Sequence, residues 1–127
     1  MMDDNVNKET KYDLEERTFL FAKNVRIFVK KLPYTLANKE DIKQLLRSSA
    51  SIGANYIEAN ESLGKKDFLM RIKISRKEAK ESNYWLRLIR ESNSLEDDYD
   101  IESLIHESIE LKKIFSSILR KVNENSN

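Results

Sequence analysis

Phe-Leu-Met-Arg-Ile-Lys-Ile-Ser-Arg-Lys-Glu-Ala-Lys-Glu-Ser-Asn-Tyr-Trp-Leu-Arg-Leu-Ile, residues 68–89, is the stretch that decides the fold. Phe68, Ile72, Ser75, Ala79, Ser82, Leu86 and Ile89 recur there in alternating steps of four and three, the period of one buried helix face. The same spacing appears three more times. Upstream it carries Leu14, Thr18, Phe21, Val25, Phe28 and Leu32, and then Ile42, Leu45, Ser49, Ile52, Gly53, Tyr56, Ala59 and Leu63. Downstream it runs through Ile101, Leu104, Ile105, Ser108, Leu111, Phe115, Ile118, Leu119 and Val122.

These stripes predict helices over 13–32, 39–63, 65–92 and 101–122, with flexible polar ends at 1–12 and 123–127. Asp13 and Asn38 are placed to cap the first and second helices at their N-termini. Pro33 stops the first helix, Gly64 is expected to cap the C-terminus of the second, and the third should end near Asn93. An acidic connector, Glu96 to Asp100, precedes the fourth. Long helices on short loops pack against their chain neighbours in opposite directions, so the expected fold is all-α: an antiparallel up-and-down four-helix bundle. The 3.5-residue period predicts left-handed packing.

Composition agrees. The chain has 127 residues, enough for a single core, and its two glycines and one proline are too few for the turns of a sandwich or barrel. Charged residues make up 35% of it, with a net charge of +1. There is no cysteine, which excludes disulfides, thiolate metal sites and thiol nucleophiles. No apolar run approaches the roughly 18 residues of a membrane span, and the first eleven residues lack a secretory pattern, so a cytoplasmic protein without a membrane role is expected.

Catalytic chemistry is hard to build from these residues. His106 is the single histidine, so two-histidine mechanisms and His-His metal sites are excluded within one chain, and a partly buried structural role is expected for it. Glu58, Glu78 and Glu81 form either a carboxylate cluster for a divalent ion, with hydrolase chemistry, or an ion-paired face beside Arg76, Lys77 and Lys80. No catalytic residue, metal, cofactor or small-molecule substrate is assigned.

Three features exceed a generic bundle. Ser48-Ser49-Ala50-Ser51-Ile52-Gly53-Ala54 is a run of small residues, either a site of close helix approach or simply tolerated. Phe19, Leu20, Ile27, Ile74, Trp85 and Leu88 fall outside the main seams, as do Met70, Ile109 and Ile114. They mark either a homo-oligomer interface or a wide core stripe. From Lys65 to Glu91, nine basic residues stand against four acidic ones. Lys66, Lys73, Arg76, Lys77, Lys80 and Arg87, near Tyr84 and Trp85, form either a face for phosphates and unpaired bases or a solvated face paired with acidic neighbours such as the Glu96 to Asp100 connector.

Residues 47–59, Arg-Ser-Ser-Ala-Ser-Ile-Gly-Ala-Asn-Tyr-Ile-Glu-Ala, together with Phe68 and residues 78–88, resemble the bacterial family of 23S rRNA intervening-sequence proteins. The resemblance covers roughly residues 12–120. It implies a four-helix bundle in a ring-like homopentamer, and a similarity to the accessory proteins of diversity-generating retroelements, which bind a reverse transcriptase and nucleic acid. Arg47, Ser51, Asn55, Glu58, Glu78 and Glu81 would be its shared polar positions. The expected function is a non-enzymatic homo-oligomeric scaffold whose partners are itself and RNA or a nucleoprotein. The alternative is a protein-binding adaptor presenting Trp85, Leu88 and Phe19.

Overall fold

Four apolar stripes on a chain with almost no helix breakers become four helices. The computed structural model describes residues 2–124, with side chains from Asp13 to Asn123. Its elements are α1 (Met2–Val29), α2 (Leu36–Asn60), α3 (Lys65–Ser92) and α4 (Tyr99–Glu124), and no strand occurs among the described residues. Each helix packs along the next and α1 also packs along α4, whereas the backbones of α1 and α3, and of α2 and α4, stand apart across the core, where Tyr56 of α2 meets Phe115 of α4 with ring centroids 5.8 Å apart. The four therefore stand around one core.

The predicted stripes turn inward, apart from Leu63 at the end of the second. Phe21, Val25, Leu45, Ile52, Ile72, Leu86, Leu111 and Phe115 are fully or nearly fully buried. Burying an apolar side chain of this size is worth about 1.5–3 kcal/mol each, the dominant favourable term here.

The helix boundaries correct several expectations. α1 begins at Met2, so Asp13 lies inside it rather than capping it; no proline or glycine in residues 2–12 stops the helix from extending. It ends at Val29, and the chain leaves through a tight turn in which the N–H of Leu32 donates to the Val29 carbonyl at 3.2 Å. Leu32 precedes Pro33, which disfavours helical geometry there. The cap of α2 is Thr35, whose hydroxyl accepts the Asn38 N–H at 3.1 Å. Gly64 caps the N-terminus of α3 instead of the C-terminus of α2, which closes at Glu61 and leaves Leu63 fully exposed. α4 starts two residues early because the Asp98 carboxylate accepts the Ile101 N–H at 3.0 Å. Of the expected flexible tail, residues 125–127 lie outside the described residues.

Freed from capping, Asn38 is buried and joins both ends of the bundle's loops. Its amide exchanges two hydrogen bonds of 2.8 Å with that of Asn93, and also donates to the Pro33 carbonyl at 2.9 Å. Asn93 in turn donates to the Ile89 carbonyl at 2.8 Å. The α1–α2 and α3–α4 connections are thereby held together, and both of these amides are paired. Beside them, Lys31 Nζ reaches Asp98 at 2.8 Å and Asp100 at 2.9 Å. This ammonium, with the Ile101 N–H, holds the Asp98 carboxyl below its ordinary range.

The small residues of α2 serve two neighbours. Ser48 accepts a hydrogen bond from Ser82 at 2.9 Å, and Ser75 donates to the Ile52 carbonyl at 2.9 Å, so α2 and α3 meet through short side chains. On the other side a Cβ at Gly53 would lie 2.8 Å from Thr18 Oγ1. Thr18 is itself buried and donates to the Leu14 carbonyl at 2.9 Å, so it cannot withdraw cheaply. Gly53→Ala should lower stability by about 1–3 kcal/mol through overpacking, although Gly to Ala inside a helix normally adds about 1 kcal/mol. Gly64→Ser should do the opposite: Gly64 is extended, a Cβ there meets nothing within 4 Å, and its helix has no side-chain cap. A gain of roughly 0.5–1 kcal/mol is expected, both changes being read by urea denaturation.

Candidate nucleic-acid interface

Charge on α3 is sorted by flank. Glu78 is buried, and its carboxylate takes Arg47 of α2 at 3.3 Å; the same guanidinium bonds Glu81 at 3.0 Å. Glu91 is held by Arg90 at 2.7 Å, and Arg90 also bonds Glu102 of α4 at 2.8 Å. Three of the four acidic residues of this helix are thus engaged with guanidinium groups.

Four cations of the same helix stand apart from these pairs. Lys73, Arg76, Lys77 and Lys80 converge with Lys112 and Ser116 of α4 around a groove of about 330 Å³. None of these five cations makes an ion pair among the described residues. Towards the N-terminus of α3, Lys66 joins Lys73 and Lys77 around Leu69, Met70 and Ile74 in an open hollow of about 640 Å³ that also includes Asp67. Arg87 is exposed one turn beyond Tyr84 and lines neither hollow. Unneutralised like charges this close raise the local potential and attract polyanions. Asp98 and Asp100 of the acidic connector are turned away from them, bound to Lys31 in the turn after α1.

Lys112 and Ser116 were not singled out from the sequence. The available signal was the Lys112-Lys113 pair beside the buried Leu111, but which helix it would face depended on how α3 and α4 align.

The six shared polar positions lie elsewhere. Arg47, Glu78 and Glu81 form the ion-pair cluster across α2 and α3. Asn55 donates to Ser51 at 2.9 Å on its carbonyl and 3.1 Å on its hydroxyl, and accepts from Arg71 at 3.0 Å. Glu58 is exposed, with no side-chain hydrogen bond or ion pair among the described residues. These residues tie two helices together, and among the described residues no group of three His, Cys, Asp or Glu side chains could hold a metal ion. His106, expected to be partly buried, is exposed instead, 3.8 Å from Glu110, because it falls between the inward positions Ile105 and Ser108.

The expected apolar interface divides. Phe19, Leu20, Ile27 and Leu88 are exposed, whereas Ile74 and Trp85 are half-buried, Trp85 against the core. Phe19 meets Ala22, Gly53, Ala54 and Ile57 in a groove of about 420 Å³ between α1 and α2. Ile27 lies with Tyr99 in a hollow between α1 and α4. Phe19 cannot share one surface with Trp85 and Leu88, because α1 and α3 are diagonal in the bundle.

Comparison with known proteins follows the same lines. The family model described as "23S rRNA-intervening sequence protein" matches residues 10–117. A crystal structure of a protein with unknown function from the S23 ribosomal protein family of Bacteroides thetaiotaomicron VPI-5482 is 32% identical, with a TM-score of 0.70, covering 83% of this chain and 96% of that one. No curated protein matches.

The geometry makes the Arg47 cluster a structural device. Arg47→Ala should cost about 1 kcal/mol by leaving the Glu78 carboxylate buried and unpaired, and that loss should largely vanish in a Glu78→Gln background when both are followed by denaturant melts.

Proposed function

The chain belongs to the 23S rRNA-intervening sequence protein family, and from that premise we propose that it is a non-enzymatic, homo-oligomeric scaffold that binds RNA or a nucleoprotein through the basic face of α3 and α4. The observation that carries this reading is the sorting of charge: Glu78, Glu81 and Glu91 of α3 are bound to guanidinium groups, while Lys73, Arg76, Lys77, Lys80 and Lys112 gather unpaired. Phosphate backbones are the ligands such a face recognises without demanding a sequence.

The scaffold is an antiparallel up-and-down, left-handed bundle. Supporting this, hydrogen-bond partners run in reverse order along neighbours: Asn38, Ser48, Ile52 and Asn55 of α2 meet the C-cap Asn93 and then Ser82, Ser75 and Arg71 of α3. Arg17 of α1 and Lys31 just after it likewise meet Glu107 and Asp100 of α4. The 3.5-residue seam of α3 favours the left-handed crossing. Self-association uses the uncovered apolar groove of Phe19, Ala22, Ala54 and Ile57, and five subunits is the number the family resemblance implies. Among the described residues no helix is long and apolar enough to cross a membrane, which suits a cytoplasmic partner.

Light scattering after size exclusion should give a mass near five times the 15.0 kDa of one chain. Short RNA should bind with a log–log salt slope of about −3, the value for roughly four neutralised phosphates of a single strand. Reversing Lys73, Arg76, Lys77 and Lys80 to glutamate should abolish that binding without changing the mass. A monomer indifferent to RNA would end both halves of the proposal. Retained binding in the reversed variant would remove α3 from it.

A further inference from the structure

We propose that this face is built for single strands, with the Tyr84 ring as the platform on which one unpaired base stacks. The inference rests on the polyanion reading above and names its ligand more closely. Lys73, Lys77, Lys80, Tyr84 and Arg87 follow one another in steps of four and three, so they form one stripe along α3. From Lys73 to Arg87 the stripe is about 21 Å long at the rise of an α-helix, enough for several nucleotides.

Tyr84 interrupts the cations at a telling place. It is 57% exposed, contributes nothing to the core, and its hydroxyl has no hydrogen-bond partner among the described residues. Its ring is nonetheless held: it stands edge-to-face with Trp85, centroids 5.0 Å apart and planes at 85°, and Trp85 is anchored against the core. Lys80 precedes it by one turn and Arg87 follows by one turn, neither in an ion pair. The nearest acid on the stripe's edge, Glu81, is drawn off by Arg47 at 3.0 Å. A base lying on Tyr84 would therefore have a cation toward the phosphate on either side.

A duplex cannot use this arrangement, because its bases are stacked on one another and offer Tyr84 no open face. It would gain only phosphate contacts. A single strand gains those and the stacking, worth a roughly five- to hundredfold change in affinity per base. Unpaired RNA and unpaired DNA share this chemistry, so both are tested.

The measurement is anisotropy of short labelled oligonucleotides (single-stranded RNA, single-stranded DNA and a duplex of equal length) against the full chain and its Tyr84→Ala and Tyr84→Phe variants. The wild type should prefer single strands, and the RNA and DNA arms show which sugar is favoured. Tyr84→Ala should weaken single-strand binding about tenfold, leave duplex binding and the salt slope unchanged, and keep a native circular dichroism spectrum; Tyr84→Phe should bind like the wild type. Equal or tighter duplex binding, or a Tyr84→Ala variant indistinguishable from wild type, overturns the stacking platform while leaving the charge-dependent scaffold standing. Failure of the wild type to bind any oligonucleotide overturns both. Binding that is lost in Tyr84→Ala yet insensitive to salt would instead mark an apolar contact around Tyr84 and Leu88, and would also overturn the inference.

Discussion

The close approach of α2 to both its neighbours is the constraint on which the rest of this molecule depends. Ser48 against Ser82, Ser75 against the Ile52 backbone, and Gly53 against Thr18 leave no room for a larger side chain at any of the three points. A helix rich in serine and glycine sacrifices intrinsic propensity, about 0.5–1 kcal/mol at the glycine alone. That sacrifice is offset by the dense packing it permits. The short side chains also satisfy their own hydroxyls, Ser82 on Ser48, Ser48 on the Leu45 carbonyl and Ser75 on the Ile52 carbonyl.

From that approach follows the distribution of charge. Bringing α2 so near α3 places Arg47 within reach of both Glu78 and Glu81, and places Asn55 within reach of Arg71. Glu78 and Glu81 are consumed on the α2 side, Glu91 is taken by Arg90, and the cations on the other side of α3 are left facing Lys112 of α4. A chain with a net charge of only +1 thus carries a concentrated basic face, an asymmetry its total conceals. Packing and electrostatics are one argument here: a bulkier α2 seam would hold Arg47 away from Glu78, and the carboxylates would be free to neutralise their own helix.

What could be read from the sequence divides along the same physical line. The inward stripes were legible because burial imposes a period, and Ile72, Ser75, Ala79, Ser82, Leu86 and Ile89 are all buried as that period requires. The helix ends were less legible, because capping is decided by one or two hydrogen bonds among several competent residues. Thr35 and Asn38 are both good caps, and Asn38 was taken by the amide of Asn93, fifty-five residues away in sequence. Gly64 could close one helix or open the next, and only its extended backbone decides. The basic stripe was visible from residue types, while Lys112 and Ser116 were not, since membership of that groove depends on which turn of α4 lies beside which turn of α3. The burial of Trp85 and the exposure of His106 were likewise set by neighbours several turns distant.

The two surfaces that remain unsatisfied lie far apart, and this bears on how they could work together. The apolar groove of Phe19 and Ile57 is formed by α1 and α2, the basic groove by α3 and α4, and the bundle's diagonal separates α1 from α3. Copies joined through the first would therefore leave the second open. Each added copy would present another stripe of lysines to the same strand, so a weak contact per subunit, a few phosphates and one stacked base, would be multiplied through effective concentration into useful affinity. A modest basic face on a near-neutral chain is a poor nucleic-acid site in a monomer. In a closed assembly the same face needs no further charge, which is why the apolar groove and the basic groove are best understood as parts of one device.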